Sequence, residues 1–123
     1  MGDKGRQVPV VIYPRFTTLF GGLTFEGYAI DVSAYSGATL NLWTTPVGGT
    51  GGALAVTFSF MESVDRLTWN LIPAVPPLTP SAGVETSQAL KFTKRWFRVN
   101  TVLTGTQPIV ALWMEGFLIM RLT

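Results

Sequence analysis

The side chains of this sequence that could perform chemistry are few and scattered. Its 123 residues contain no histidine and no cysteine, so the commonest general acid–base group and the thiolate nucleophile are both missing. Seven carboxylates remain, and only Glu62 and Asp65 lie as close as three residues apart. Neighbouring residues therefore form no Ser-His-Asp triad, no histidine metal site and no carboxylate dyad. The sequence predicts a protein that is not an enzyme and that uses no cofactor and no metal.

The segment from Glu62 to Trp69 raises the question of a calcium site. Calcium takes about six to eight oxygen ligands, whereas this segment offers two carboxylates and a few carbonyl groups. The alternative is a tight turn capped by the side chain of Asp65, followed by Trp69 as an anchor in the core. The residue types favour the turn.

The segment from Lys91 to Arg98 holds four of the nine cations, interleaved with three aromatic rings. Cations among aromatic rings are the ingredients of a platform for single-stranded nucleic acid. Strand alternation instead puts Phe97 in the core and Trp96 with Arg98 on the outer face, where a cation–π contact is ordinary. Since the net charge is only +2, nucleic acid is a disfavoured partner. A contact with an acidic protein surface and a solvated face both stay open.

The elements that must position these residues are strands, because a period of two dominates the sequence. Leu54, Val56, Phe58 and Phe60, for example, alternate with smaller or more polar side chains. Short turns separate such stretches, and the four prolines between 73 and 83 predict an extended surface loop. The pattern predicts an all-β fold, a single-domain β-sandwich or jelly roll of about eight antiparallel strands. These strands are expected at 9–18, 23–32, 38–45, 53–62, 67–72, 86–92, 95–104 and 108–121.

The chain divides into an extended N-terminal arm, 1–15, and a sandwich domain, 16–123. Two glycines and a proline disfavour regular structure in the arm, and Lys4 and Arg6 favour solvent or an acidic partner. A first strand in place of the arm is the alternative. No stretch has the length of a membrane span or of a signal peptide, so we expect a protein made in the cytoplasm with no membrane partner.

The last predicted strand, 108–121, is apolar on both faces. The outer face of a two-sheet sandwich is normally wet, so this pattern predicts coverage by another subunit. Charged residues make up only 13% of the chain, about half the usual share of roughly 25%, which also favours a covered surface. A central strand beneath a loop or the arm is the alternative. We expect a homo-oligomer, a homotrimer before a dimer, with its interface at Ile109, Trp113, Phe117 and Ile119.

Three motifs resemble those of a known protein family. They are E-S-x-D-x-x-T-W at Glu62–Trp69, R-x-x-R-V at Arg95–Val99 and T-G-T-x-P at Thr104–Pro108. In this order they are similar to small β-sandwich proteins encoded among the virion genes of tailed bacteriophages, over about residues 55–115. Within that group the chain most resembles the head decoration, or cement, protein, a jelly roll that clamps neighbouring capsid subunits.

The resemblance implies a structural virion protein on the capsid surface, with the major capsid protein and further copies of itself as partners. A tail or fibre module that binds carbohydrate or a receptor is the alternative, since such modules share the same hairpin pattern. Exposed aromatic rings on a shallow face, for instance Trp43 and Tyr35, would favour that alternative. The residues expected to contact the capsid are Lys4, Arg6, Val8, Trp96 and Arg98.

Overall fold

A computed structural model of the protein describes residues 6–22 and 24–122. Their regular structure consists of strands that form one curled antiparallel sheet, which confirms the predicted all-β class and is consistent with a β-sandwich. No helix in this described part has the length and apolar character needed to cross a membrane. The strands are β1 (Gln7–Phe20), β2 (Thr24–Glu26), β3 (Ile30–Asp31), β4 (Tyr35–Thr44), β5 (Gly48–Ser63), β6 (Asn70–Leu71), β7 (Thr86–Lys91) and β8 (Trp96–Met120).

Strand β8 is the centre of the sheet, because it is paired on both of its edges. One edge pairs with β3, β2 and β1 in turn, and the other edge pairs with β5 and then with β4. Strand β6 extends the sheet beyond β5, and β7 extends it beyond β4. The two strands predicted at 95–104 and 108–121 are therefore one continuous strand.

The two halves of β8 direct opposite sets of residues into the core. Odd-numbered residues such as Phe97 and Val99 are buried in the first half, and even-numbered residues such as Leu112 and Met114 are buried in the second. The change occurs across 105–107, where Gly105 (φ 133) and Gln107 (φ 50) leave the extended conformation. A bulge of this kind bends a strand. The predicted turn at this point is thus a bend within β8, and it folds the sheet on itself.

The folded sheet encloses one apolar core that both halves supply. Its fully buried side chains include Leu40 and Leu42 of β4, Phe58 and Phe60 of β5, and Phe97 of β8. The connection between β3 and β4 bonds to both ends of β8, since Val32 N–H donates to the Arg95 carbonyl (2.7 Å) and Arg121 N–H donates to the Ala34 carbonyl (2.9 Å). The two ends of β8 therefore lie at the same end of the sandwich.

Residues 7–15, which the sequence analysis assigned to an arm, belong to strand β1. The strand pairs with β8 from Gln7, opposite Ile119, to Phe20, opposite Ile109. The reason is the alternation that begins at Val8, because it supplies an inward row of apolar side chains that pack against the core. Two prolines are tolerated in β1 because β8 is its only partner among the described strands. The remainder of the predicted arm, 1–5, lies outside the described residues.

Candidate functional site

Among the described residues, the exposed phenylalanines Phe16, Phe20 and Phe117 lie on the outer side of β1 and the second half of β8. Within residues 6–22 and 24–122, no group of three or more metal-ligating side chains comes together. We call the outward side of β1, β4 and the second half of β8 the apolar face. It carries Val11, Phe16, Phe20, Trp43, Ile109, Trp113, Phe117 and Ile119.

A bulge in β1 presents Phe16 at the centre of the apolar face. Tyr13 lies opposite Met114 and Thr17 lies opposite Leu112, so three residues of β1 stand opposite Trp113 alone. The hydroxyl of Thr17 closes the bulge by donating to the carbonyl of Pro14 at 2.6 Å. Phe16 has a φ of 67° and its side chain is 91% exposed. A bulky residue seldom adopts this left-handed conformation, which costs on the order of 1–3 kcal/mol.

Arg15, the neighbour of Phe16 in the bulge, covers Trp113. Its guanidinium lies 4.1 Å from the centroid of the Trp113 ring and donates to Glu115 Oε1 at 2.8 Å and 3.2 Å. Trp113 is therefore only 8% exposed, although it belongs to the outer face as predicted. The cover comes from the chain's own strand β1, so a partner would meet Arg15 before it met the indole ring.

An apolar groove opens beside Phe16. It has a volume of about 340 Å³. Trp43 lies directly opposite Trp113 in the neighbouring strand, so the two indoles form adjacent parts of its wall. The lining residues are Arg15, Phe16, Trp43, Ala111, Leu112 and Trp113.

The remaining residues of the predicted oligomer interface share the apolar face with this groove. Ile109 and Phe117 are exposed and Ile119 is half-buried. Sequence reasoning missed Phe16 and Phe20, since the alternation of β1 did not reveal a bulge. The only available signal was the proline two residues before Phe16, which marks a break in strand pairing.

The outward side of the first half of β8, together with the turn before β6, forms a second surface that we call the aromatic–arginine face. The guanidinium groups of Arg66 and Arg95 lie 4.5 Å and 5.1 Å from the centroid of the Trp96 ring. The guanidinium of Arg98 lies 4.2 Å from the centroid of Trp69. Trp96 and Arg98 share this outward side, as strand alternation predicted, but Arg98 stacks on Trp69 and Trp96 is covered by Arg66 and Arg95 instead. These contacts already occupy the rings on which a nucleic-acid base would stack.

Carboxylates fix two of these arginines. Arg95 forms an ion pair with Asp31 at 3.0 Å, and Arg98 forms one with Glu26 at 3.2 Å. The pKa of Asp31 is lowered to about 2, first by the hydrogen bonds from Ser33 and then by Arg95. Because all three arginines are held by stacking or pairing, the face presents a preformed set of cations.

The turn that carries Arg66 is capped by Asp65, as predicted. Asp65 Oδ1 accepts hydrogen bonds from the N–H groups of Leu67 (2.8 Å) and Thr68 (3.0 Å) and from the hydroxyl of Ser63 (3.0 Å). The bonds from Thr68 and Leu67 are the main reason that the pKa of Asp65 lies below its ordinary value. The Asp65 carboxylate therefore stabilises the turn by accepting hydrogen bonds within it.

Trp69 does not lie in the core, where the sequence analysis placed it. Its ring is half-buried at the surface, under Arg98, and its Nε1 donates to the carbonyl of Arg66 at 3.2 Å. The reason is a contact between residues far apart in the chain, because Trp69 ends the turn before β6 and stacks under Arg98 of β8.

The predicted capsid-contact residues are only partly brought together. Arg6 is exposed, and its carbonyl accepts a hydrogen bond from the N–H of Met120 at 2.8 Å, which places it at the same end of the sandwich as Trp96. Arg98 lies beside Trp96 on the aromatic–arginine face. Val8 packs against the core, so it is not a free surface residue, and Lys4 lies outside the described residues.

The rings that would have favoured a sugar-binding surface are separated. Tyr35 lies at the first position of β4 and packs against the core, whereas Trp43 lies near the other end of the same strand and lines the groove. The two rings therefore do not form one shallow platform.

Comparison with known proteins shows the fold. No protein-family model and no curated protein matches the chain. The structure is similar to that of the PBSX exported protein XepA, with a TM-score of 0.62 and 16% identity over 94% of this chain and 38% of that chain. It is also similar to a chain in the structure of infectious bursal disease virus, Gx strain, with a TM-score of 0.55 and 12% identity over 96% of this chain and 32% of that one. The Gt strain of that virus gives a TM-score of 0.51 at 12% identity, over 98% and 33%. This chain thus spans about a third of the length of each, and the likeness concerns the fold alone.

Proposed function

We propose that this chain is a non-enzymatic structural protein of a virion, a decoration or cement protein that self-associates and binds the major capsid protein at the capsid surface. The observation that carries the proposal is the pair of outer faces, apolar on one half of the folded sheet and rich in stacked arginines on the other. Because the halves enclose the core between them, the two faces point away from each other. One copy can therefore contact two partners at once, as a clamp must.

The apolar face is the proposed site of self-association. Exposed apolar side chains in a contiguous patch mark interaction surfaces on soluble proteins. Here they are joined by a charged pair that is already neutralised, Arg15 with Glu115. Charge depletion and aromatic enrichment are typical of the centre of a subunit interface.

The aromatic–arginine face is the proposed contact with the capsid protein. Arg66 forms no ion pair with the residues that the structure describes, and Arg6 adds a cation at the same end of the sandwich. Cations held in advance by stacking lose little freedom on binding. The expected partner surface is acidic.

The motifs at Glu62–Trp69, Arg95–Val99 and Thr104–Pro108 support a virion role, since they resemble those of small β-sandwich proteins encoded among the virion genes of tailed bacteriophages. A chain in the structure of infectious bursal disease virus has a similar fold. Because one fold can serve many functions, the proposal is carried by the two faces and tested by a binding experiment.

The experiment is co-sedimentation of the purified chain with procapsids, mature heads and tails of the phage that encodes it. We expect the chain to sediment with heads. Arg66→Glu should weaken this binding, because it reverses a charge on the aromatic–arginine face. Lys91→Glu is the matched control, since Lys91 is exposed on the edge strand β7 and away from that face.

Failure to bind either procapsids or mature heads would overturn the decoration role. Binding to tails alone would favour the tail module instead, and equal losses in Arg66→Glu and Lys91→Glu would remove the assignment of the capsid contact to this face.

A further inference from the structure

We infer that Phe16 of one copy inserts into the groove beside Trp43 of a second copy, so that two copies exchange aromatic side chains across their apolar faces. This inference rests on the self-association proposed above. It adds three details: Phe16 is the anchor, the groove beside Trp43 is the receptor for it, and the contact has two-fold symmetry.

Phe16 contributes little to the fold of its own chain. Its side chain is 91% exposed, so it buries almost no apolar surface, and its φ of 67° is unfavourable for any residue with a Cβ. An exposed aromatic ring held in a strained backbone is a combination that clusters at binding sites. The bulge at 14–16 therefore serves to present this ring.

The groove has the size and the chemistry to receive such a ring. Its volume of about 340 Å³ lies in the range, roughly 300–1,000 Å³, of sites that hold small apolar groups. Trp43, Phe16 and the small side chain of Ala111 are among its lining residues, and the Trp113 ring lies there under the guanidinium of Arg15. An inserted phenyl ring would meet Trp43 at its edge or face, the geometries that aromatic pairs prefer.

The anchor and its receptor lie side by side and point in the same direction. Phe16 is itself one of the residues that line the groove. When two identical surfaces meet about a two-fold axis, each copy gives and receives the same contact. A three-fold ring needs an anchor and a receptor on different sides of the subunit. The geometry therefore points to a pair of copies, whereas the trimer expected from the sequence stays a separate prediction.

The charges of the apolar face suit a second copy of the same face. Arg15 and Glu115, which form an ion pair at 2.8 Å, flank the groove. Rotation by half a turn can place Arg15 of one copy near Glu115 of the other, so opposite charges meet. Since the charges of Arg15 and Glu115 cancel, the apolar face offers no net charge that would attract a strongly charged partner.

The area of the face is of the order that a stable pair requires. The second half of β8 from Ile109 to Ile119 is about 35 Å long at roughly 3.3 Å per residue. The three strands β1, β8 and β4 are about 14 Å wide at roughly 4.8 Å per strand. The product, roughly 500 Å² per partner or about 1,000 Å² in total, is at the lower limit for a specific interface.

The test is the mass of the full chain in solution, measured by analytical ultracentrifugation over a range of concentrations. We expect twice 13.4 kDa for the unmodified chain. Phe16→Ala should weaken pairing about thirtyfold or more, as expected for an aromatic anchor, and should leave the melting temperature unchanged at concentrations where both chains are monomeric. Tyr28→Ala is the matched control, because Tyr28 is 94% exposed but lies between β2 and β3, outside the apolar face.

A second variant tests the receptor without touching the anchor. Ala111→Leu should fill the groove and weaken pairing to a similar extent. A mixture of the Phe16→Ala and Ala111→Leu chains should pair better than either chain alone, because the anchor of one chain then meets an unfilled groove of the other, which lacks only its own Phe16 from the lining. If the mixed chains pair no better than either variant alone, the exchange of aromatic side chains is wrong.

The outcomes separate this inference from the proposed function. If Phe16→Ala pairs like the unmodified chain while Phe117→Arg dissociates it, the anchor is wrong and the apolar interface stands. A mass of three times 13.4 kDa also overturns the two-fold exchange and leaves self-association standing. If the chain is a monomer that binds heads, and Phe16→Ala abolishes that binding, the groove and anchor belong to the capsid contact and the second-copy inference is wrong.

Discussion

At the scale of single residues, the buried carboxylate of Glu62 shows how a polar side chain can serve the fold. Glu62 is 1% exposed, and it accepts hydrogen bonds from the backbone N–H (3.0 Å) and the hydroxyl of Thr93. These bonds tie the connection between β7 and β8 to strand β5. The same connection places Phe92 against Phe97, with ring centroids 5.2 Å apart. Glu62 therefore stabilises the approach to the central strand.

We predict that Glu62→Ala lowers the free energy of unfolding by about 1–3 kcal/mol, because it removes the two hydrogen bonds that this buried side chain accepts from Thr93. Glu62→Gln should cost less, since its amide oxygen can still accept a bond. Urea denaturation measures both, with the exposed Glu85→Ala as a control expected to stay within about 0.5 kcal/mol. A folded Glu62→Gln chain that fails to bind heads would indicate a chemical role for this carboxylate.

Two exposed carboxylates predict how stability changes in acid. The pKa of Asp31 falls from its ordinary value of 3.8 to about 2, and that of Asp65 also falls. A depressed pKa in the folded state means that the stabilisation is complete above pH 4 or so and is lost as the pH falls towards 2. We expect the melting temperature to drop over this window, and to drop less in Asp31→Asn. If the melting temperatures of the unmodified chain and of Asp31→Asn fall equally with pH, Asp31 does not contribute to this loss of stability.

The sequence predicted the turn cap of Asp65 and the outward side of Arg98 because both depend on local rules, but it did not predict that Arg98 stacks on Trp69. It did not predict the burial of Glu62, since its partner Thr93 is 31 residues away. Nor could it predict the exposure of Phe16, because the sign of φ at a phenylalanine follows from the register of β1 against β8. Trp69 was misplaced for a related reason, since the partner that holds it at the surface belongs to another strand.

At the scale of elements, the bend in β8 depends on Gly105. Its φ is 133°, a conformation that residues with a Cβ rarely adopt, and an added Cβ would meet the end of the Leu54 side chain, which can turn away. We predict that Gly105→Ala costs on the order of 1–3 kcal/mol, mainly from backbone strain. Gly52→Ala is the matched control, because no atom lies within 4 Å of its added Cβ. Equal denaturation midpoints for the two variants would show that the bend tolerates a side chain.

Strand β1 gives a second prediction at this scale. Deletion of 1–15 removes inward side chains of β1, including Val8 and Ile12, and the Tyr13 hydroxyl that meets Thr101 Oγ1 at 2.6 Å. We expect the truncated chain to melt more than about 10 °C lower, since several apolar groups and a buried hydrogen bond are lost. Circular dichroism measures this change. An unchanged melting temperature would mean that the segment is a dispensable arm.

The sequence located most strands because half-buried strands alternate with a period of two. It could not tell that 95–104 and 108–121 are joined, since a Thr-Gly-Thr turn and a bulge at Gly105 have the same composition. The joint is decided by the pairing of both halves of β8 with β5 and β4, which involves residues far apart in the chain.

At the scale of the whole molecule, two unlike faces predict two unlike responses to salt. Ion pairing at the aromatic–arginine face should weaken as salt screens it, whereas burial of the apolar face should not. We expect head binding to weaken when sodium chloride rises from about 0.05 M to about 0.5 M, while self-association changes less than about threefold. Co-sedimentation and ultracentrifugation in the same buffers measure the two effects. Equal weakening of both would show that self-association is also electrostatic.

The central position of β8 has a consequence for how the protein is made. Five of the other seven strands in the described structure pair directly with β8, and β8 is the last of the eight in chain order. When the first seven strands have been translated, the nascent chain can therefore form very little of the sheet. The apolar side chains of β1, β4 and β5 stay unpaired until β8 has left the ribosome. Until then, only β4 with β7 and β5 with β6 can pair. Non-local pairing of this kind is slow and leaves edges exposed, which makes the interval before β8 appears the period in which a nascent chain most needs a chaperone.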